Sequence, residues 1–197
     1  MILIRLLSKE EHRFADELVC AGMRKKYHCE AYPLPEVVLG GFQGNNLVGV
    51  IALSPAAKDK FSLREVYSLD LNSVPFPFDW EQCLQIGRLV STSHNLAEAL
   101  IYRSFCYGIG KGYRWGVGEM KPSVFRRFSM LGLSLVEITG KPRLENIPLG
   151  TLSYYINPPA PLPFAVDLIG GLRSLDVRVD MLLRCGLISF GNKSAPL

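Results

Sequence analysis

The stretch Cys83–Ala97, CLQIGRLVSTSHNLA, constrains this chain more than any other. Its first half is apolar and reads as a strand. Its second half opens a helix, which is the junction where many α/β enzymes hold a phosphate. Two details set it apart. Arg88 stands in the apolar strand, where a guanidinium is costly to bury unless something pairs with it. Between Arg88 and the helix there is no glycine, so no backbone position is free for the close approach that a pyrophosphate cradle needs.

The rest of the chain supplies partners for that strand. Ile2 to Leu7 reads as a first strand, and Ser8 with Glu11 has the spacing of a capping box. A helix is expected to follow, with Phe14 and Leu18 on one face and its end near Lys26. Glu36–Phe42 and Asn46–Leu53 flank a Gly/Asn cluster, the pattern of a hairpin. Glu65–Leu71 alternates like a further strand. After Gln82–Val90, Asn95 or Ser93 can cap a helix over Leu96–Lys111 that Gly112 stops. Tyr113–Gly118 reads as a strand, and Pro122 opens a helix through Met130 that Gly132 stops. Leu133–Ile138 and Thr151–Ile156 are the last strands expected.

This order, antiparallel strands followed by βαβ-type crossovers, predicts an α/β (α+β) fold: a mixed, mostly antiparallel central sheet flanked by helices. At 197 residues one domain is expected. Residues 1–157 carry it. Four prolines between 158 and 163 begin a stiff connector, and 158–197 end in a helical tail over Ser174–Arg184 packed on the same domain. Docking on the domain is the default use of that helix's apolar stripe, with a membrane surface or a dimer contact as the alternatives.

Composition excludes several classes. A net charge of +4 falls short of the basic footprint of a nucleic-acid binder. Five cysteines without CxxC spacing and three scattered histidines suggest no metal site. They read as reduced thiols. The N-terminal MILIRLLSKEEH is too short in apolar residues for a signal peptide, and no run reaches the roughly 20 apolar residues of a membrane span. A cytoplasmic protein is expected.

Three motifs carry a closer resemblance. Gln85-Ile86-Gly87-Arg88 resembles the E-x-[SG]-R motif on the fourth strand of acyl-homoserine lactone synthases and N-acyl amino acid synthases. Gly112-Tyr113 to Val117, with Phe125-Arg126-Arg127 and Leu131-Gly132-Leu133 behind it, is similar to the G-[YW]…FRRLG[FL] ending of many GCN5-related N-acyltransferases. Tyr154-Tyr155-Ile156-Asn157-Pro158 resembles proteins called thermostable hemolysins. Together, residues 10 to 160 resemble the N-acyl amino acid synthases, N-acyltyrosine synthases in particular.

The resemblance implies transfer of a long-chain fatty acyl group from acyl carrier protein to the α-amine of an amino acid, with tyrosine favoured. Acyl-homoserine lactone synthesis is a second reading, poorly matched around Met23–Glu30. A non-catalytic membrane-active protein of the hemolysin type, with a peripheral membrane contact, is a third. One departure stands out. The family's glutamate is Gln85 here, and an amide cannot serve as a base.

Acyltransferases of this fold that use coenzyme A follow the strand with [RQ]-x-x-G-x-[GA]. Arg88-Leu89-Val90-Ser91-Thr92-Ser93 matches the first position and neither glycine. The hydroxyls of Ser91, Thr92 and Ser93, with the helix dipole, suit the single phosphodiester of a carrier-protein phosphopantetheine, so that donor is expected over acyl-CoA. A backbone N–H of Leu89 or Val90 would hold the oxyanion. Candidate bases are Glu65, on a strand beside Arg88, and Glu119, with His94 third. Arg88 suits a carboxylate, a phosphate or a neighbouring glutamate. Gln85 is placed on the substrate path. Tyr102 and Phe125, with Phe105, Tyr107 and Phe128, form either ordinary core or the wall of an acyl tunnel. Arg24, Lys25 and Lys26 at one helix end, and Arg126 and Arg127 on another helix, are candidate docking patches for an acidic carrier protein.

Overall fold

The computed structural model describes residues 1–191, with His94 in backbone only. Residues 192–197, the end of the expected tail, lie outside the described residues. In chain order the elements are β1 (Ile2–Leu6), α1 (His12–Tyr27), β2 (Val37–Gln43), β3 (Asn46–Pro55), α2 (Leu63–Val66), β4 (Tyr67–Leu69), β5 (Cys83–Ser91) and α3 (His94–Gly110). They continue with β6 (Trp115–Met120), α4 (Pro122–Met130), β7 (Val136–Glu137), β8 (Gly140–Pro142), α5 (Leu152–Ile156), β9 (Leu162–Asp167), α6 (Leu168–Arg184) and β10 (Ile188–Phe190).

Among the described residues the main sheet has eight strands in the order β10-β1-β2-β3-β5-β6-β9-β7. Its pairings are antiparallel except β1 with β10 and β5 with β6. Alternation along the strands sends side chains to two cores. One face carries Leu39, Ile51, Leu84, Ile86 and Phe164 under α3, α4 and α6. The other carries Val38, Val50 and Ala52 under α1, and Cys83, Trp115 and Val117 under α2 and α5. This is the mixed, mostly antiparallel sheet that the element order predicts.

The structure corrects the reading at several places. Glu65 does not lie on a strand. Leu63 and Val66 are buried one helical turn apart, so the segment turns as α2, and the strand after it pairs with β8 in a separate two-stranded ribbon. Thr151–Ile156 is helical, with Tyr155 turned into the core. Short apolar runs of this kind fit either period. The capping box is half made: Oε2 of Glu11 accepts from Ser8 N–H at 2.9 Å, while Arg5 claims the carboxylate with two further bonds. The connector expected from residue 158 is short. β9 begins at Leu162, includes Pro163 and enters the sheet beside β6, α6 packs on α3, and β10 completes the far edge beside β1. No described helix is long and apolar enough to cross a membrane.

Candidate functional site

The site begins with a gap between two parallel strands. β5 and β6 pair from Cys83–Trp115 to Gln85–Val117, and no register continues beyond. On its other side β5 stays paired with β3, but Gly87 faces Ala52 and Val90 faces Val50, so Arg88 and Leu89 share the single position opposite Ile51. This is a β-bulge. Arg88 takes φ +53°, the left-handed region that side chains avoid.

The bulge decides which way Arg88 points. In strict alternation Arg88 would share the face of Leu84 and Ile86, under α3. The extra residue reverses the parity, so Leu89 packs on that face instead. The Arg88 guanidinium lies over the Tyr32 ring on the opposite face, 5.9 Å from its centroid. A cation is thus kept out of the apolar core at the cost of one strained residue.

A cavity of about 200 Å³ passes through the gap and has two unlike halves. On the α1 side Tyr32, Gln85, Arg88 and Glu119 line it. On the α3 side Ile86, Ile101, Phe105, Phe128, Phe164 and Val166 line it. Three buried side-chain atoms of the polar half have no hydrogen-bond partner: Nε of Arg88, Oε2 of Glu119 and the Tyr32 hydroxyl. Buried polar atoms are rarely left so, and these three gather around one cavity.

Glu119, expected at a strand end, lies near the end of β6; the residue is partly buried and its Oε2 is shut off from solvent. Burial raises its carboxyl pKa to about 7; the hydrogen bond from Tyr155, the nearby Tyr67 hydroxyl and the charge of Arg88 oppose the rise. Tyr155 donates to Oε1 at 2.5 Å. Burial also pushes the Tyr32 hydroxyl up to about 12. Arg88 feels the same burial, opposed by the charges of Asp59 and Glu119. The result is a carboxylate able to take a proton near neutrality, facing a cation.

The structure also explains Gln85. Its side chain is buried, and Oε1 accepts the N–H of Leu63 at 3.3 Å. That bond ties β5 to the first turn of α2. Sequence reasoning missed Lys121, which is buried with Nζ donating to the carbonyls of Tyr154, Asn157 and Pro159 at 2.6, 3.1 and 2.8 Å. It fixes the α5 segment, and with it Tyr155, over Glu119. Its one sequence signal is a lysine directly before the proline that opens α4.

The other expected residues fall as follows. Leu89 and Val90 line the cavity, as does Lys26; Glu65 does not, and its side chain is half exposed beside Arg64. Ser93 caps α3, accepting from Leu96 N–H, in place of Asn95; Ser91 Oγ donates to Ser93 O. Thr92 is exposed. The side chain of His94 lies outside the described residues.

Tyr102 does not reach the cavity. Its hydroxyl donates to Asp176 of α6 and its ring stacks on Phe190. Phe125 packs into the α3-side core, while its neighbours Val124 and Phe128 face the cavity. Arg24, Lys25 and Arg126 are exposed. Arg127 is half-buried against Glu98, which Arg178 of α6 also holds, so it ties helices together instead of presenting a free patch. No described group of His, Cys, Asp and Glu is placed to hold a metal ion.

The fold has solved counterparts. The structure of "a CoA-dependent acyl-homoserine lactone synthase, BjaI, with SAM and isopentyl-CoA" matches with a TM-score of 0.63 at 14% identity, over 99% of this chain and 95% of that one. The acyl-homoserine lactone synthase LasI matches at 0.59 and 8% identity, over 85% and 90%. FeeM, an N-acyl amino acid synthase from uncultured soil microbes, matches at 0.53 and 14% identity, over 92% and 98%. No model of a protein family matches the sequence, and no curated protein does. The chain has the acyltransferase fold of these synthases, as its motifs imply.

Proposed function

We propose that this protein is an N-acyltransferase that moves a fatty acyl group from a thioester to the α-amine of an amino acid. The observation that carries the reading is the cavity through the β5–β6 gap. Its apolar half suits an acyl chain, and its polar half pairs a neutral-range carboxyl with a cation. The thioester carbonyl would sit in the gap, its oxygen near the N–H groups of the bulge at Leu89 and Val90. Arg88 would hold the acceptor's carboxylate. The amine nitrogen bonds to the carbonyl carbon as the C–S bond breaks. Glu119 takes the proton released from nitrogen, and the leaving thiolate is protonated in turn.

Two finer points belong to the same proposal. A carrier-protein donor is favoured by the missing glycines after Arg88 and by exposed Arg24 and Lys25 next to Lys26 at the cavity. An aromatic acceptor such as tyrosine is favoured by the resemblance and by Tyr27, Tyr32, Phe61 and Tyr154 along the cavity wall.

The test is direct. Purified protein is incubated with dodecanoyl and hexadecanoyl thioesters of acyl carrier protein and of coenzyme A, with each amino acid and with S-adenosylmethionine. Products are read by mass spectrometry. N-acyl amino acids from the carrier-protein donor support the full proposal. Product from coenzyme A alone overturns the donor, an acyl-homoserine lactone overturns the acceptor, and no product from any pair overturns the activity.

A further inference from the structure

Among the described residues none of α6 lines the cavity, yet α6 presses on one residue that does. Phe105 of α3 is buried at 2% exposure and forms part of the apolar wall, one turn beyond Ile101. Its ring is in turn covered by Gly171 of α6. A Cβ built on Gly171 would lie 2.5 Å from Phe105 Cε2 and 3.1 Å from Cδ2. The ring therefore fills the whole space between the cavity and the backbone of α6. It can sit as deep as it does only because residue 171 has no side chain.

We infer that Phe105, held by Gly171, is the end wall of the acyl chamber and sets the length of chain the protein accepts. This rests on the reading of the apolar half as an acyl site. The physical reason is packing. The ring is held between the cavity and a helix backbone, so a longer chain cannot gain room by displacing it toward α6. α6 is itself fixed to α3 by the Arg178–Glu98 pair and by the Tyr102–Asp176 bond. Two opposite changes follow. Shortening the residue at 105 lengthens the chamber toward α6. Adding a methyl at 171 drives the ring into the chamber and shortens it, while alanine in place of a helical glycine favours α6 itself.

The experiment needs no turnover. An equimolar mixture of saturated fatty acids from butanoate to hexadecanoate is mixed with the full-length protein, and the retained acids are read by native mass spectrometry. Phe105→Ala and Phe105→Leu are expected to shift retention to longer chains, by roughly tenfold for each methylene the new space accepts. Gly171→Ala is expected to shift it to shorter ones. Thermal melts identify the folded variants, and Phe105→Leu keeps a core-compatible side chain if Phe105→Ala does not fold. An unchanged length profile in folded variants of both residues overturns the inference. A shifted profile without any N-acyl product in the transfer assay supports it and overturns the proposed activity instead.

Discussion

Tyr155 donates its phenolic proton to Oε1 of Glu119 across 2.5 Å, and Oε2 of the same carboxyl is buried without a partner. One oxygen is thus fixed by the protein and the other is left to the cavity. The tyrosine comes from α5 and the glutamate from β6, thirty-six positions apart in sequence. Lys121 holds the intervening geometry by binding three carbonyls of the α5 segment. A carboxyl so held has a defined direction for proton transfer, and burial gives it the affinity to accept a proton near neutral pH.

Glu119→Gln keeps the shape and loses the base. Turnover is expected to fall by about 10²- to 10⁴-fold, the usual worth of a positioned general base. In the wild type the pH–rate curve should rise through about 7 as Glu119 ionises. The variant should lack that limb. A profile with the same limb in both proteins would assign the base elsewhere.

The same carboxyl makes stability fall with pH. Its folded pKa of about 7 lies above the ordinary 4.5, so between those values the folded state holds a proton that the unfolded chain has released. Folding therefore loses stability as pH rises from 4.5 to 7 and stays at the lower level above, by about 3 kcal/mol for this group. Urea unfolding across pH should show that slope in the wild type. Glu119→Gln should flatten it and gain relative stability above pH 7.

Arg88 separates strain from function. Its φ of +53° costs about 1–2 kcal/mol for a residue with a side chain. Arg88→Gly removes that strain while loosening the unfolded chain by a comparable amount, so its melting temperature should stay within a few degrees of wild type. KM for the acceptor should rise at least about tenfold from the lost charged contact. Arg88→Lys keeps the charge and loses the fork. It should fall between the two.

Lys121→Met removes a donor from three carbonyls at once. The expected loss of stability is about 2–3 kcal/mol, seen as a lower urea midpoint. Activity should fall as well in the molecules that remain folded, because Tyr155 is then no longer held over Glu119.

Gln85→Glu restores the residue of the resembling synthases. A carboxylate can accept the Leu63 N–H as the amide does, so the fold should persist. A second buried acid near Glu119 should raise the apparent pKa of the pH–rate curve above that of the wild type. An unchanged curve would show that the two groups do not interact.

Much of this was legible in the chain. Arg88 in an apolar strand stood out, and it lines the cavity; the hairpin, the crossover helices and their glycine stops stood at the positions found. The short apolar segments were not legible. Leu63–Val66 and Leu152–Ile156 fit both a strand and a helical turn, and only the neighbours that bury Val66 and Tyr155 select the turn. Glu65 was misplaced for that reason. Tyr102 and Phe125 showed the aromatic spacing of a tunnel wall, but a helix has more than one buried side, and α6 claims the side that carries Tyr102.

The sequence by itself determined the strand-to-helix junction, the lack of a glycine cradle after Arg88 and the presence of a carboxyl at the end of β6, because local propensity and residue chemistry suffice for these. Tertiary structure decided which face Arg88 occupies, since a bulge sets parity only through pairing with β3. It decided that Glu119 titrates near 7, since desolvation is a property of the whole enclosure. It also decided that the residues after the prolines complete the sheet and back the apolar chamber, since those contacts join segments whose spacing along the chain carries no periodic signal.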